Sequence, residues 1–97
     1  MLPNRRECAI LSILVNGEKY GREIRLEYEK NTKESLPIGS LYTTLDRMEE
    51  KGFVKSWEGN PLPGYAGNRR RYYKLTANGR RALDSVMAAI GGALANG

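Results

Sequence analysis

With 97 residues, 40% of them hydrophobic, the chain has the length and apolar content of one small folded domain. It has no histidine and a single cysteine, which excludes an internal disulfide and a thiolate metal cluster and removes the commonest general base; no cofactor or metal is implied. The net charge of +5 is unevenly placed: residues 1–58 hold ten basic and ten acidic side chains, residues 59–97 six basic ones against Asp84 alone, and such a localised basic patch points to a polyanion partner.

The longest apolar run, Cys8 to Val15, is interrupted by Ser12 and too short to cross a membrane, and no cleavage pattern follows the basic residues near the start. A cytoplasmic location is therefore expected. The first helix is predicted over Arg5 to Val15, with Glu7 favouring its early turns and Asn16-Gly17 ending it. Cys8, Ala9, Ile10, Leu11, Ile13, Leu14 and Val15 make it apolar nearly all round, so one face should meet the chain's own core and another something else. Cys8 reads as a small core residue. A second helix is predicted from Tyr20 to Asn31, with Tyr20, Ile24 and Tyr28 as its buried stripe and Leu26 opposite. The connection Thr32 to Leu36 then leads into a third helix, the layout of a helix-turn-helix unit.

From Pro37 to Lys51, the residues Ile38, Leu41, Leu45 and Met48 recur at helical spacing, which puts them on one apolar face. Pro37 suits the first helical position and Gly52 is a stop signal. The opposite face carries Ser40, Thr43, Arg47 and Glu50, and its first turns are small, hydroxylated and uncharged. Such a surface suits close approach to a DNA groove edge, although Ser40 and Thr43 equally suit capping a turn and solvating a face. Asp46, Glu49 and Glu50 would repel DNA, so the end of this helix should point away from it.

After Gly52 the pattern changes to alternation, and a strand is predicted from Phe53 to Glu58. Gly59 to Asn68 is rich in Gly, Pro and Asn and reads as a loop; Arg70 to Leu75 reads as the return strand. A hairpin directly after a helix-turn-helix, carrying Arg69-Arg70-Arg71, is a wing. The planar fork of arginine suits phosphate, and a glycine-rich tip lets backbone approach backbone. Taken alone, the same run also suits a solvated edge strand protected by charge. Tyr72 and Tyr73 alternate faces, so one belongs to the core. Thr76 caps a last helix from Ala77, whose stripe is Leu83, Val86, Met87, Ile90 and Leu94; Gly91-Gly92 predicts fraying after Ile90. The folded core can cover only part of that stripe, so it is expected to form the seam of a homodimer.

The order helix, helix, helix, strand, wing, strand, helix resembles the winged-helix domain of the PadR family of bacterial transcriptional regulators. The resemblance runs from Glu7 to Met87. It rests on Ile10-Leu11-Ser12-Ile13-Leu14, on Tyr20-Gly21 with Ile24, on Gly39-Ser40-Leu41-Tyr42 followed by Leu45, Arg47, Met48, Glu49 and Gly52-Phe53-Val54, and on Gly67 through Thr76 with Gly79 and Leu83. It implies a dimeric DNA-binding repressor, with the third helix in the major groove, the wing on the minor groove or backbone, and the last helix as dimerisation element. Two positions depart from the family pattern: Arg22 stands where an aromatic residue is common, and Gly67-Asn68-Arg69-Arg70 replaces Gly-Arg-Pro-Arg. Some short members bind aromatic or drug-like molecules in the dimer interface; the last helix here has neither tryptophan nor tyrosine, and the sequence names no effector.

The expected fold is mainly α with a two-stranded β-wing: a winged helix-turn-helix over residues 1–76 and a dimerisation helix over 77–97. The expected function is sequence-specific binding of double-stranded DNA, as a repressor on a pseudo-palindromic operator. Ser40, Tyr42, Thr43 and Arg47 are the candidate groove contacts, with packing at the core edge an alternative for Tyr42. Asn68, Arg69, Arg70 and Arg71 are the candidate wing contacts. A rival of another class is a protein–protein adaptor whose basic wing docks an acidic partner. An enzyme is not indicated, because no nucleophile–base pair is recognisable.

Overall fold

Asn4 starts the chain's first helix, α1 (Arg5–Leu14), in a reciprocal cap: its side chain accepts the Glu7 N–H at 2.8 Å, and the Glu7 carboxylate accepts the Asn4 N–H at 2.8 Å. Glu7 does more than favour an early turn. It is 1% exposed, and its second oxygen takes a hydrogen bond from Lys51 Nζ at 2.8 Å. Ile10, Leu11, Ile13 and Leu14 are buried, while Val15 remains exposed. Cys8 is half-buried against the core, and burial first, then the neighbouring Glu7 charge, pushes its thiol pKa up, which suits the packing role and not a reactive one. The computed structural model describes residues 2–61 and 69–96, with the side chains of 60, 61, 69 and 92–96 outside the description.

Tyr20 does not lie on the second helix. It belongs to a short strand, β1 (Lys19–Tyr20), and the helix α2 (Gly21–Thr32) follows it, so the buried stripe of α2 is Ile24 and Tyr28. Two residues are too few to show a strand period; β1 exists only because a partner strand pairs with it. Leu26 is exposed, opposite the stripe as expected. The turn after α2 is fixed by three features. Lys33 takes a left-handed conformation (φ 61°), Leu36 N–H donates to the Glu29 carboxylate at 2.7 Å, and Arg25 Nε donates to the Leu36 carbonyl at 2.8 Å. Leu36 itself is fully buried, so α2 and the turn present the third helix, α3 (Ile38–Glu50), at one set angle.

Leu41, Leu45 and Met48 of α3 are fully buried, but Ile38 is 57% exposed. The helical period placed Ile38 on the apolar face; at the first turn, however, with Pro37 as N-cap, that face has run past the core. Gly52 ends α3 with φ 79°, where its N–H reaches the Glu49 carbonyl and the Phe53 N–H reaches Met48, a left-handed stop that glycine takes without strain.

The strands β2 (Val54–Pro61) and β3 (Arg69–Leu75) pair antiparallel, and β1 adds to the other edge of β3, giving the order β1-β3-β2. The sheet therefore has three strands where the sequence suggested two, and Gly59 to Pro61 extend β2 instead of opening the loop. Tyr73 is the core-facing member of its pair, with Val54 beside it in the core. Thr76 caps the last helix, α4 (Ala77–Asn96): its hydroxyl accepts the Gly79 N–H at 3.0 Å and donates to the Gly52 carbonyl. Gly79 lies so close to β2 that a Cβ there would collide with the Phe53 carbonyl. The helical span continues past Gly91-Gly92 to Asn96. Among the described residues no helix is long and apolar enough to cross a membrane.

The Glu7–Lys51 link fastens the start of α1 to the end of α3, and the Asn4 cap adds to it. Glu7→Gln should lower stability by about 2 kcal/mol, the range for hydrogen bonds to a buried charge. Asp84→Asn, which breaks the exposed Arg80–Asp84 pair at 3.2 Å, should cost less than about 0.5 kcal/mol. Urea denaturation midpoints of the two variants check this ordering.

Candidate nucleic-acid interface

The outward face of α3 is built by subtraction. With Leu41, Leu45 and Met48 turned inward, the residues left outside are Ile38, Gly39, Tyr42, Thr43, Asp46, Arg47 and Glu50. Its first two turns bear no charge, and Arg47 is the first cation along it. Ser40 is half-buried; its carbonyl accepts the Thr44 hydroxyl at 2.8 Å. Tyr42 is 37% exposed and its ring lies over the start of α2, where a Cβ on Gly21 would come within 2.5 Å of the hydroxyl. Tyr42 is thus both a core-edge residue and part of the outward surface. Glu49 turns away from that surface: its carboxylate accepts the Ser56 N–H at 2.8 Å and the Ser56 hydroxyl at 2.7 Å. Asp46 and Glu50 stay exposed towards the end of the helix.

The two wing arginines whose side chains are described have different settings. Arg71 donates to Ser56 Oγ at 2.8 Å and so joins the Glu49–Ser56 network on the helix side of the sheet. Arg70 lies on the opposite side, its guanidinium 4.2 Å from the centre of the Tyr20 ring. Tyr20 meets Tyr72 edge-on at 5.9 Å, and Tyr72 stacks on Trp57 at 6.0 Å. Three strands therefore carry one aromatic ladder with Arg70 at its end. The sequence pattern gave no sign of this partner for Arg70, because Tyr20 is fifty positions away. The side chain of Arg69 and all of Asn68 lie outside the described residues.

Further cations border α3. A groove of about 400 Å³ runs between the start of α1 and the flank of α3, where Arg6 and Arg47 stand beside the pairs Arg5–Glu34 and Lys51–Glu7. Arg6, Arg22 and Arg47 make no ion pair among the described residues. Arg5 and Arg6 escaped sequence reasoning because an equal number of acids in residues 1–58 hides them in the net charge.

The model of the transcriptional regulator PadR-like family matches residues 10–85, from the second half of α1 through most of the inner half of α4. The chain belongs to this family. Its members are transcriptional regulators, not enzymes, and the three-stranded sheet among four helices is the PadR winged-helix fold. A PadR family transcription regulator from Clostridium difficile is 34% identical with a TM-score of 0.73, over 89% of this chain and 86% of that one. A transcriptional regulator from Clostridium thermocellum is 26% identical with a TM-score of 0.74, over 94% and 86%. Bacillus subtilis PadR, solved in complex with operator DNA, shares the fold at 22% identity and a TM-score of 0.75, over 87% of this chain and 47% of that one.

In this PadR-like chain the surface of α3 is backed by Tyr73, which is 1% exposed and whose hydroxyl has no hydrogen-bond partner among the described residues. Burial pushes its phenol pKa up to about 12; Arg71 offsets this, while Tyr42, Asp46 and Glu49 add to it. A phenol that stays neutral in the folded state while the unfolded one ionises near its ordinary value of 10 supports the fold below pH 10 and ceases to as pH rises towards 12. Tyr73→Phe should therefore leave stability at pH 7 within about 1 kcal/mol of the parent, since no hydrogen bond is lost. It should also lose less stability than the parent between pH 10 and pH 12. Thermal melts from pH 7 to pH 12 measure both effects.

Proposed function

We propose that this PadR-like regulator binds double-stranded DNA in a sequence-specific manner, as a homodimer on a pseudo-palindromic operator, and acts as a repressor in the cytoplasm. The observation that carries the reading is the uncharged, exposed leading surface of α3 together with two arginines of β3, Arg71 joined through Ser56 to Glu49 of α3 and Arg70 held over the Tyr20 ring. On this reading the first turns of α3 enter the major groove, with Thr43 and Arg47 at or near base edges and Ser40 and Tyr42 beside them. Arg70, with Arg69 and Asn68 at the wing, meets phosphate or the minor groove, and Arg71 adds charge while bracing β2. The shared fold of a PadR solved on operator DNA is in keeping with this arrangement.

Residues 1–76 would then be the DNA-binding unit and 77–97 the dimerisation helix. Leu83 sits in the protomer's own core and Val86 is half-buried, while Met87 is 58% and Ile90 50% exposed. The side chain of Leu94 lies outside the described residues. From Asp84 to Ile90 every side chain except that of Val86 is exposed, so among the described residues this part of α4 has little of its own chain to pack on. Full burial of such a side chain contributes roughly 1.5–3 kcal/mol, and a second copy would supply it. A two-fold pair would set its α3 helices about 34 Å apart, one turn of DNA.

Two experiments test the reading. Binding to a matched duplex should weaken steeply with salt, with a log–log slope of about −5 to −7 for six to eight phosphate contacts per dimer. In the same assay Thr43→Ala should lower the preference for a matched over a scrambled duplex, at a cost of order 1–3 kcal/mol. A flat salt response, or a preference that never exceeds bulk charge attraction, would favour docking to an acidic protein instead. For the dimer, sedimentation at micromolar concentration should give twice the protomer mass, and Met87→Asp should yield monomers with much weaker operator binding. A monomeric parent, or a Met87→Asp protein that stays dimeric, would place the seam elsewhere.

A further inference from the structure

We infer that Ile38 is a specificity-determining residue that reads the C5-methyl group of a thymine in the operator. The inference rests on the proposal that α3 enters the major groove. Ile38 is the first residue of α3 and 57% exposed, although its chemistry and spacing mark it for the core. It stands at the leading end of the uncharged surface, next to Gly39, around whose Cα nothing lies within 4 Å of a built Cβ. The neighbouring backbone is therefore bare on that side, and a flat partner can come close.

Three features make Ile38 a fixed probe. Pro37 precedes it with φ −56°, the angle to which the proline ring locks the chain. The turn before it is held by Arg25 and Glu29 on the two backbone groups of Leu36. The side chain is β-branched, so few rotamers are lost when it is covered. A helical side chain also leans towards the N-terminus of its helix, which aims Ile38 ahead of α3, away from Leu41 and the core.

The major groove offers this side chain one apolar partner. Thymine presents a methyl group there, and adenine, guanine and cytosine present only donors and acceptors. An isoleucine at the leading edge cannot satisfy those polar edges and desolvates them at a cost, so it discriminates against them as well as favouring thymine. A methyl group taken out of water against apolar surface contributes about a fourfold gain in affinity.

The test uses the full chain and an operator selected from random duplex DNA with the unmodified protein. Each thymine is replaced in turn by deoxyuridine, which removes the methyl group and leaves base pairing intact. At one thymine per half-site the replacement should weaken the parent about fourfold. Ile38→Ala should bind the thymine and uracil duplexes equally, while Asp84→Asn, an exposed change on α4, should keep the distinction. Ile38 is exposed, so the alanine variant should melt at the parent's temperature, which separates a reading role from a folding one. If the parent selects an operator but no thymine methyl matters, or if the methyl effect survives in Ile38→Ala, the assignment to Ile38 falls and DNA binding stands. If the parent selects no sequence at all, the DNA reading itself falls and takes the assignment with it.

Discussion

The Glu7 carboxylate is the buried charge around which the helices are assembled. One oxygen caps the helix it belongs to, and the other receives Lys51 from the residue that ends α3. Taking a carboxylate out of water is expensive unless both its oxygens are satisfied, so the first and third helices can meet in only one register. Phe53, which follows the glycine that stops α3, starts the turn into the wing and also lies 6.0 Å from the Lys51 ammonium. A single polar contact thus sets the end of α3, the entry to the sheet and the start of the chain's first helix against one another. The apolar core supplies most of the stability, but apolar contacts are non-directional and would tolerate a slide that this contact does not.

The surface proposed to meet DNA is supported from below at two separate levels. Under α3 lie Tyr73, Val54 and the Glu49–Ser56–Arg71 network, which tie the helix to β2 and β3. On the far side of the sheet, the ladder Tyr20–Tyr72–Trp57 ties the three strands together and ends under Arg70. Gly59 belongs to this ladder as well, since a Cβ there would press within 2.5 Å of the Tyr72 ring. Consecutive arginines therefore reach opposite faces of one strand, each with a different set of supports.

Much of this was legible in the sequence, where the signal was a period or a stop. The inward faces of α1 and α3, the glycine after Lys51, the alternation of Tyr72 and Tyr73 and the Thr76 cap are all local patterns, and each names its own geometry. Other features have no local signature. Leu36 reads as loop but is fully buried, because its burial depends on Arg25 and Glu29 eleven and seven residues back. Tyr20 reads as helix but is strand, because β3 claims its backbone. Ile38 reads as core because the helical period continues through it, whereas the extent of the core is set by the elements packed behind the helix. The candidate site residues divide in the same way: hydroxyls and arginines show by type, while what holds Arg70 in place shows only once distant segments meet.

The close approach at Gly79 has a mechanical consequence. The start of α4 is pinned against the Phe53 carbonyl with no side chain between, and from there the helix runs out to Asn96, about 25 Å at 1.5 Å per residue. Among the described side chains beyond Leu83, only that of Val86 still leans on the protomer. The helix is thus a cantilever clamped at one end, and a tilt of about 5° at the clamp carries its free end through about 2 Å over that length. In a two-fold assembly held by the free ends, the same lever works in reverse: small changes in how two α4 helices cross become changes in the distance between the two α3 helices. A methyl group added at position 79 would reset that angle without touching any residue of either outer surface.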